Sequence, residues 1–314
     1  MFGFHQTFAL RGGNEDWLGK GIRKLTSTEP DTGPVFFQNP ERAAEILGIG
    51  VNKIKSLKEW LRFTGLTEVK KKTGKAYHYL TPLGSLIARY DEDLEEIGTL
   101  WVLHYQLCSN ADGATTWYWF WNEFVSTEFT REDMLQGLLA YTRGTRHEDI
   151  SANTLKDDIS ALLATYAYQE SVDSIPVFGD LRLLQETRKG VFRKQPGKRV
   201  PPLILAYVIA DERLQRFPNG LDMSLSMLLR DPGGPGKLMQ LEQTMMIELL
   251  DGLKSKYEGK LLGVTRTAGL DNVFFHAPIA PLAILTAYYW EEVEDKSLNE
   301  ILTLFDSDSS ICHV

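Results

Sequence analysis

Between Asn39 and Gly84 the chain sets out a helix, a glycine-broken turn, a second helix and a lysine-rich hairpin in close succession, an order few folds accommodate. Asn39-Pro40 reads as a helix start with proline at the first helical position, followed by Ala43, Ala44 and Leu47 at helical spacing. The run GIGV interrupts it. From Asn52 a second helix places Ile54, Leu57, Trp60 and Leu61 on an apolar stripe and Lys53, Lys55, Lys58 and Arg62 on its other faces, with Gly65 closing it. LTEVKKKTGKAYHYLTPLG then supplies two β-capable runs around Lys-Thr-Gly-Lys. This is the order of a winged helix-turn-helix, whose second helix enters the major groove of double-stranded DNA while the wing meets backbone phosphates. Asn52, Lys53, Lys55, Ser56 and Lys58 are the expected groove residues, and Lys70, Lys71, Lys72 and Lys75 the expected phosphate contacts. The same module also packs against proteins; the lysine density favours DNA.

The charge balance sharpens that expectation. A net charge of -8 excludes a protein whose whole surface attracts nucleic acid, so any DNA contact must come from local patches. The hairpin and its preceding helix form one patch. A second runs through FGDLRLLQETRKGVFRKQPGKRVPP, with paired basic residues at Arg188/Lys189, Arg193/Lys194 and Lys198/Arg199. It reads either as a solvated loop or as a second phosphate-contacting edge. No apolar run is long enough to cross a bilayer, and the first residues lack the features of a signal peptide, so no membrane partner and a cytoplasmic location are expected. Two cysteines give neither a disulfide framework nor a zinc spacing, and Cys108 reads as a small buried hydrophobe.

The expected fold is mainly α with small β-wings, in three parts: residues 1–98 with the winged helix-turn-helix, 99–175 as an aromatic helical core, and 176–314. TLWVLHYQLCSNADGATTWYWFWNEF carries Trp101, Trp117, Trp119 and Trp121 on either side of a turn; packing is the expected role, with base stacking on those rings the alternative. Thr130 and Ser151 or Asn153 are helix caps for two amphipathic helices. The last part holds LDMSLSMLLR, DPGGPGK, LEQTMMIELLDGLKSKY and two β-capable runs about Ala-Gly-Leu-Asp, an order that suggests a second winged-helix-like unit. IAPLAILTAYYW is an apolar helix and FDSDSSICHV a mobile tail.

No general catalytic signature is present. DPGGPGK lacks the Ser or Thr that a phosphate-binding loop carries after its lysine, and a turn between helices explains it better. The six histidines fall at no metal-ligand spacing. His5, with Gln6, Arg11 and Lys20, is the most suggestive: histidine serves as base or metal ligand, and Arg and Lys stabilise a phosphodiester transition state. The same polar groups could instead tie the N-terminal segment to a core. Asp157 and Asp158 offer carboxylates for a divalent ion, on a helix that also needs a solvated face.

FGFHQTFALR, WLGKG, LGIGVNKIKSLKEWL, TPLG, GTLWVLHYQL, TTWYWFWNEF, TLKDDISALLATY and DPGGPGKLMQLE in this order resemble a bacterial family of SspB-like proteins, domain-of-unknown-function family number four thousand and seven. The resemblance spans nearly the whole chain. It implies a DNA-nicking component of Ssp-type DNA phosphorothioation and anti-phage defence, working beside a desulfurase and an ATP-dependent sulfur-transfer protein. His5, Arg11 and Lys20 fall on matching positions and are the expected catalytic residues, whereas Gln6 stands where the family often carries Glu. Metal assistance would come from Mg2+ or Mn2+, with no organic cofactor. A non-catalytic DNA-recognition adaptor is the alternative; a homodimer on spaced half-sites would go with a transcriptional regulator.

Overall fold

Local chemistry starts most of the helices. Asn39 caps α2 (Pro40–Leu47) by accepting a hydrogen bond from Arg42 N, and Gly48 ends it in the left-handed region. Thr130 and Asp133 form a reciprocal capping box at α7 (Arg131–Gly144), and Ser151, not Asn153, caps α8 (Ala152–Tyr166). The structure, a computed structural model, describes residues 10–11, 17–168, 175–266 and 271–305, and the chain forms two units, Met1–Gln195 and Pro196–Val314. It is mainly helical with small sheets around an aromatic core.

In the first unit, β1 (Leu10–Arg11) pairs with a later two-residue strand, and α1 (Trp17–Thr26) is followed by a 3-10 turn at Gly33–Gln38 before α2. Three residues after α2 comes α3 (Val51–Phe63), whose Ile54, Leu57, Trp60 and Leu61 are buried. A Cβ on Gly21 would lie 2.9 Å from the Leu61 side chain, so this position in WLGKG lets α1 close directly on α3. The hairpin β2 (Thr67–Lys72) and β3 (Lys75–Leu80) follows, turned by Thr73 and Gly74, both at positive φ, the turn geometry that matches strand twist.

TPLG joins that hairpin to α4 (Pro82–Tyr90). Thr81 accepts from Gly84 N and donates to Gly65 O at 2.6 Å, and Gly84 packs so closely that an added Cβ would lie 2.1 Å from Leu66 O.

The aromatic segment forms α5 (Ile97–Ser109) and α6 (Thr115–Asn122). Trp101, Trp117, Trp119 and Trp121 are all buried, so packing is their role and bases cannot stack on them. Trp60 of α3 meets Trp117 of α6 edge-to-face with centroids 5.5 Å apart, which seats α3 on the core. His104 Nδ1 lies 2.7 Å from Tyr166 OH, inside a cage of Trp101, Trp121 and Phe178. Cys108 sits 3.5 Å from the same hydroxyl, and burial drives its thiol far above the ordinary range, leaving a packing group. Around this core β4 (Glu128–Thr130), β5 (Ala167–Tyr168), β7 (Leu184–Arg188) and β8 (Val191–Lys194) form a sheet in the order β4-β8-β7-β5, β5 alone being parallel to its neighbour, while β6 (Ile175–Pro176) is the partner of β1.

The second unit packs α9 (Pro202–Arg216) against α13 (Pro281–Glu292). Between them run β9 (Asp222–Ser224), α10 (Leu225–Arg230), α11 (Pro235–Leu238), α12 (Gln243–Lys256), β10 (Leu262–Thr265) and β11 (Asn272–Phe275); α14 (Leu298–Thr303) follows. The sheet order is β10-β11-β9. DPGG is the turn between α10 and α11 and PGK opens α11, with Gly236 so close to α10 that a Cβ would meet Leu229 O at 2.4 Å. Arg216 secures it, bridging Glu212 and Asp231 at 2.9 Å each. Of the expected tail FDSDSSICHV, Phe305 is buried against Tyr257, and 306–314 lie outside the described residues.

The packing of the hairpin can be tested at two positions. Gly84→Ala must displace the Leu66 backbone and lowers stability by about 1–3 kcal/mol, read as a drop in the thermal midpoint; an unchanged midpoint contradicts the close approach. His78 of β3 is buried against Phe37, and burial first, with Lys58 and Arg62 adding to it against the opposing pull of Glu59, lowers its pKa to about 4. The unfolded chain therefore takes up that proton first as pH falls. This stability, on the order of 3 kcal/mol, is complete above pH 6.5 and lost by about pH 4. In His78→Leu, urea midpoints compared at pH 7 and 4.5 should fall by less than in the parent protein.

Candidate nucleic-acid interface

Residues 51–80 carry eight basic side chains against two acidic ones in a chain of net charge -8. The inward stripe of α3 leaves Asn52, Lys53 and Lys55 exposed and Lys58 half-buried, while the hairpin exposes Lys70, Lys71, Lys72 and Lys75. Its two acids are occupied locally. Glu59 takes Arg62 at 2.7 Å and lies 3.9 Å from Lys58, and Glu68 takes Lys70 at 2.7 Å, raising the Lys70 pKa. Among the described residues, Lys53, Lys55, Lys71, Lys72 and Lys75 have no acidic partner within ion-pair distance. No acidic side chain occupies the first turn of α3, where the helix dipole would favour one, and Gly50 gives it no side-chain cap.

Ser56 corrects the expected groove set. It is only 5% exposed, on the inward side of α3 beside Leu57, and cannot reach a base edge. Lys53 has a neighbour the spacing did not reveal: its Nζ lies 5.8 Å from the centre of the Trp17 ring, over which Lys20 Nζ also sits at 4.3 Å. Lys20 is thus brought beside the start of α3 and held by a cation–π contact. His5 and Gln6 lie outside the described residues, and Arg11 is described only as the backbone of β1 paired with Ile175.

The second basic segment divides. Lys194 donates to Phe120 O at 2.7 Å and Phe124 O at 2.6 Å while its ammonium lies over the Phe120 ring. It neutralises carbonyls at and just beyond the C-terminal end of α6, a structural task that removes it from any DNA edge. Arg193 pairs with Glu128 directly across the β4–β8 ladder at 2.5 Å, so its charge is balanced within the sheet. Arg188 and Lys189 remain exposed at the tip of the β7–β8 hairpin.

Asp157 and Asp158 do not share a site: Asp157 is exposed and Asp158 is fully buried, accepting from Thr116 Oγ1 at 3.1 Å. Among the described residues no three His, Cys, Asp or Glu side chains come together to hold a metal, and no helix is long and apolar enough to cross a membrane. The described groups of α3 and the hairpin therefore present a basic surface.

Comparison with known proteins agrees with the fold. A structure described as magnesium ion-bound SspB is similar with a TM-score of 0.77 at 21% identity, over 96% of this chain and 92% of that one. A second, described as SspB, gives the same TM-score at 23% identity over 94% and 88%. No curated protein matches. Residues 2–289 match the family described as protein of unknown function (DUF4007), and the chain belongs to that family.

Proposed function

We propose that this protein binds double-stranded DNA through α3 and the β2–β3 hairpin, used as a winged helix-turn-helix, as a component of a bacterial Ssp-type DNA phosphorothioation and anti-phage defence system. The carrying observation is the group of five exposed lysines without acidic partners, gathered on one helix and one hairpin of an acidic protein. Lys53 and Lys55 project from the first two turns of α3, the end a recognition helix sets into the groove, where their ammonium groups also meet the flanking phosphates. Lys71, Lys72 and Lys75 would neutralise phosphates beside the groove. The likeness to SspB structures and the family membership support placing it with a desulfurase and an ATP-dependent sulfur-transfer partner.

Binding of a labelled duplex should be strongly salt-dependent. Five lysine–phosphate contacts imply a logarithmic salt slope of about -4 to -5, or a loss of several hundredfold between about 50 and 200 mM salt. Lys53→Glu/Lys55→Glu should abolish binding at about 200 mM and flatten the slope measured at low salt by about two. Unchanged affinity in that variant would sink the assignment of α3.

Metal-dependent nicking of the bound DNA is the second reading, favoured by the magnesium ion in one of the similar structures. Lys20, beside the start of α3, would then stand near the bound strand, with His5 and Arg11 contributed by the N-terminal segment. Supercoiled plasmid incubated with and without Mg2+ or Mn2+ decides it. Open circles that need the metal and vanish in His5→Ala/Lys20→Ala identify a nickase; duplex binding without nicks leaves a recognition adaptor.

A further inference from the structure

The β2–β3 hairpin carries more than a wing of phosphate contacts requires. Its register places Glu68, Lys70, Lys72, Lys75, Tyr77 and Tyr79 on one face and Thr67, Val69, Lys71, Ala76, His78 and Leu80 on the other. Thr67 and His78 are buried, with His78 against Phe37, so the second face turns inward at these two positions, while Val69 and Lys71 on it stay exposed. The outward face carries two tyrosines, three lysines and Glu68, which is paired with Lys70, so Lys72 and Lys75 supply its unbalanced positive charge. Neither ring is buried. They stand nearly parallel, 22° between planes and 6.5 Å between centroids, the step of alternate residues along a strand. Lys70 and Lys72 Nζ lie 5.5 and 5.6 Å from the Tyr79 ring centre.

Phosphate attraction explains the lysines but not the tyrosines. A tyrosine on a solvent face adds no positive charge, and these two leave the inward packing of the hairpin to His78 and Thr67. What a pair of aligned, half-exposed rings among lysines offers is a surface on which unstacked bases lie while their phosphates are neutralised, the pattern of single-strand binding proteins. Intact duplex cannot use it, because its bases are stacked on one another.

We propose that the outward face of this hairpin, Tyr77 and Tyr79 with Lys70, Lys72 and Lys75, is a stacking platform for unpaired DNA, so that the protein prefers duplex containing an opened or interrupted strand. The occupant is DNA because the charge of the face and the neighbouring lysines of α3 complement a polyanion. This rests on the DNA-binding reading and adds to it the form of DNA recognised.

The protein should be titrated against two labelled duplexes of equal length, one intact and one with a gap of about five nucleotides bearing 2-aminopurine in the unpaired segment. The gapped duplex should bind about tenfold or more tightly, with 2-aminopurine emission quenched on binding. Tyr77→Ala/Tyr79→Ala should lose both the preference and the quenching while intact-duplex affinity changes little. Tyr77→Phe/Tyr79→Phe should keep both, since the rings and not the hydroxyls provide the stacking surface. Circular dichroism of both variants establishes that the hairpin change leaves the fold intact. Equal affinity for the two duplexes, or an unchanged preference in the folded alanine variant, overturns the platform while leaving duplex binding standing. Failure of the parent protein to bind either duplex removes the DNA-binding reading itself and the platform with it.

Discussion

The edge-to-face contact of Trp60 with Trp117 is the hinge of the first unit's organisation, because it joins the helix that carries the exposed charge to the core that carries the stability. Both rings are almost wholly removed from water. Helix α3 is thirteen residues long, a length at which an isolated helix is marginal in water, and the lysines on its outer face add repulsion. Burial of the stripe Ile54, Leu57, Trp60 and Leu61, with Leu57 and Leu61 beside Gly21 of α1 and Trp60 on Trp117 of α6, offsets that cost. The apolar stripe thereby fixes which side of α3 is outward. The exposure of Lys53 and Lys55 and the burial of Ser56 are consequences of where the tryptophan goes.

The same core determines the fate of charges that look alike in the sequence. Lys72 and Lys194 each stand in a short basic run at the end of a hairpin strand. One remains on a solvent face beside Tyr79, whereas the other turns into the sheet's underside to meet two carbonyls at the end of α6. A helix end with unsatisfied carbonyls next to aromatic faces is a stronger local attractor for an ammonium than water is when the geometry is already fixed by the ladder. The distinction between a solvent-facing lysine and a structural one is therefore set by the neighbour the fold brings to it.

Legibility in the sequence follows the range of the interaction. The Asn39 and Thr130 caps, the stripe of α3 and the turn at Thr73-Gly74 depend on residues within one or two turns of each other, and their signals are local. The buried tryptophans are legible because rings of that size dominate packing. The burial of Ser56 is not, because a helix position beside lysines gives no sign of which way a small polar residue points. Lys194 and Arg193 find partners some seventy residues away, and Asp158 is claimed by Thr116 from another helix. Strands β5 and β9, two and three residues long, are too short to show alternation.

The second unit shows how little element order alone says about nucleic acid. Helix α12 precedes the β10–β11 hairpin much as α3 precedes β2–β3, yet Glu248 and Asp251 lie on it and Arg266, just after β10, is paired to Asp251 at 2.6 Å. A phosphate approaching that face would meet carboxylates and an arginine already satisfied. Helix α12 is therefore poorly suited to DNA although its surroundings follow the same grammar, while α3 and its hairpin are suited by five lysines without acidic partners and an inward stripe that holds the helix lysines outward. Charge placement on a rigid helix, more than the arrangement of helices and strands, separates the two faces.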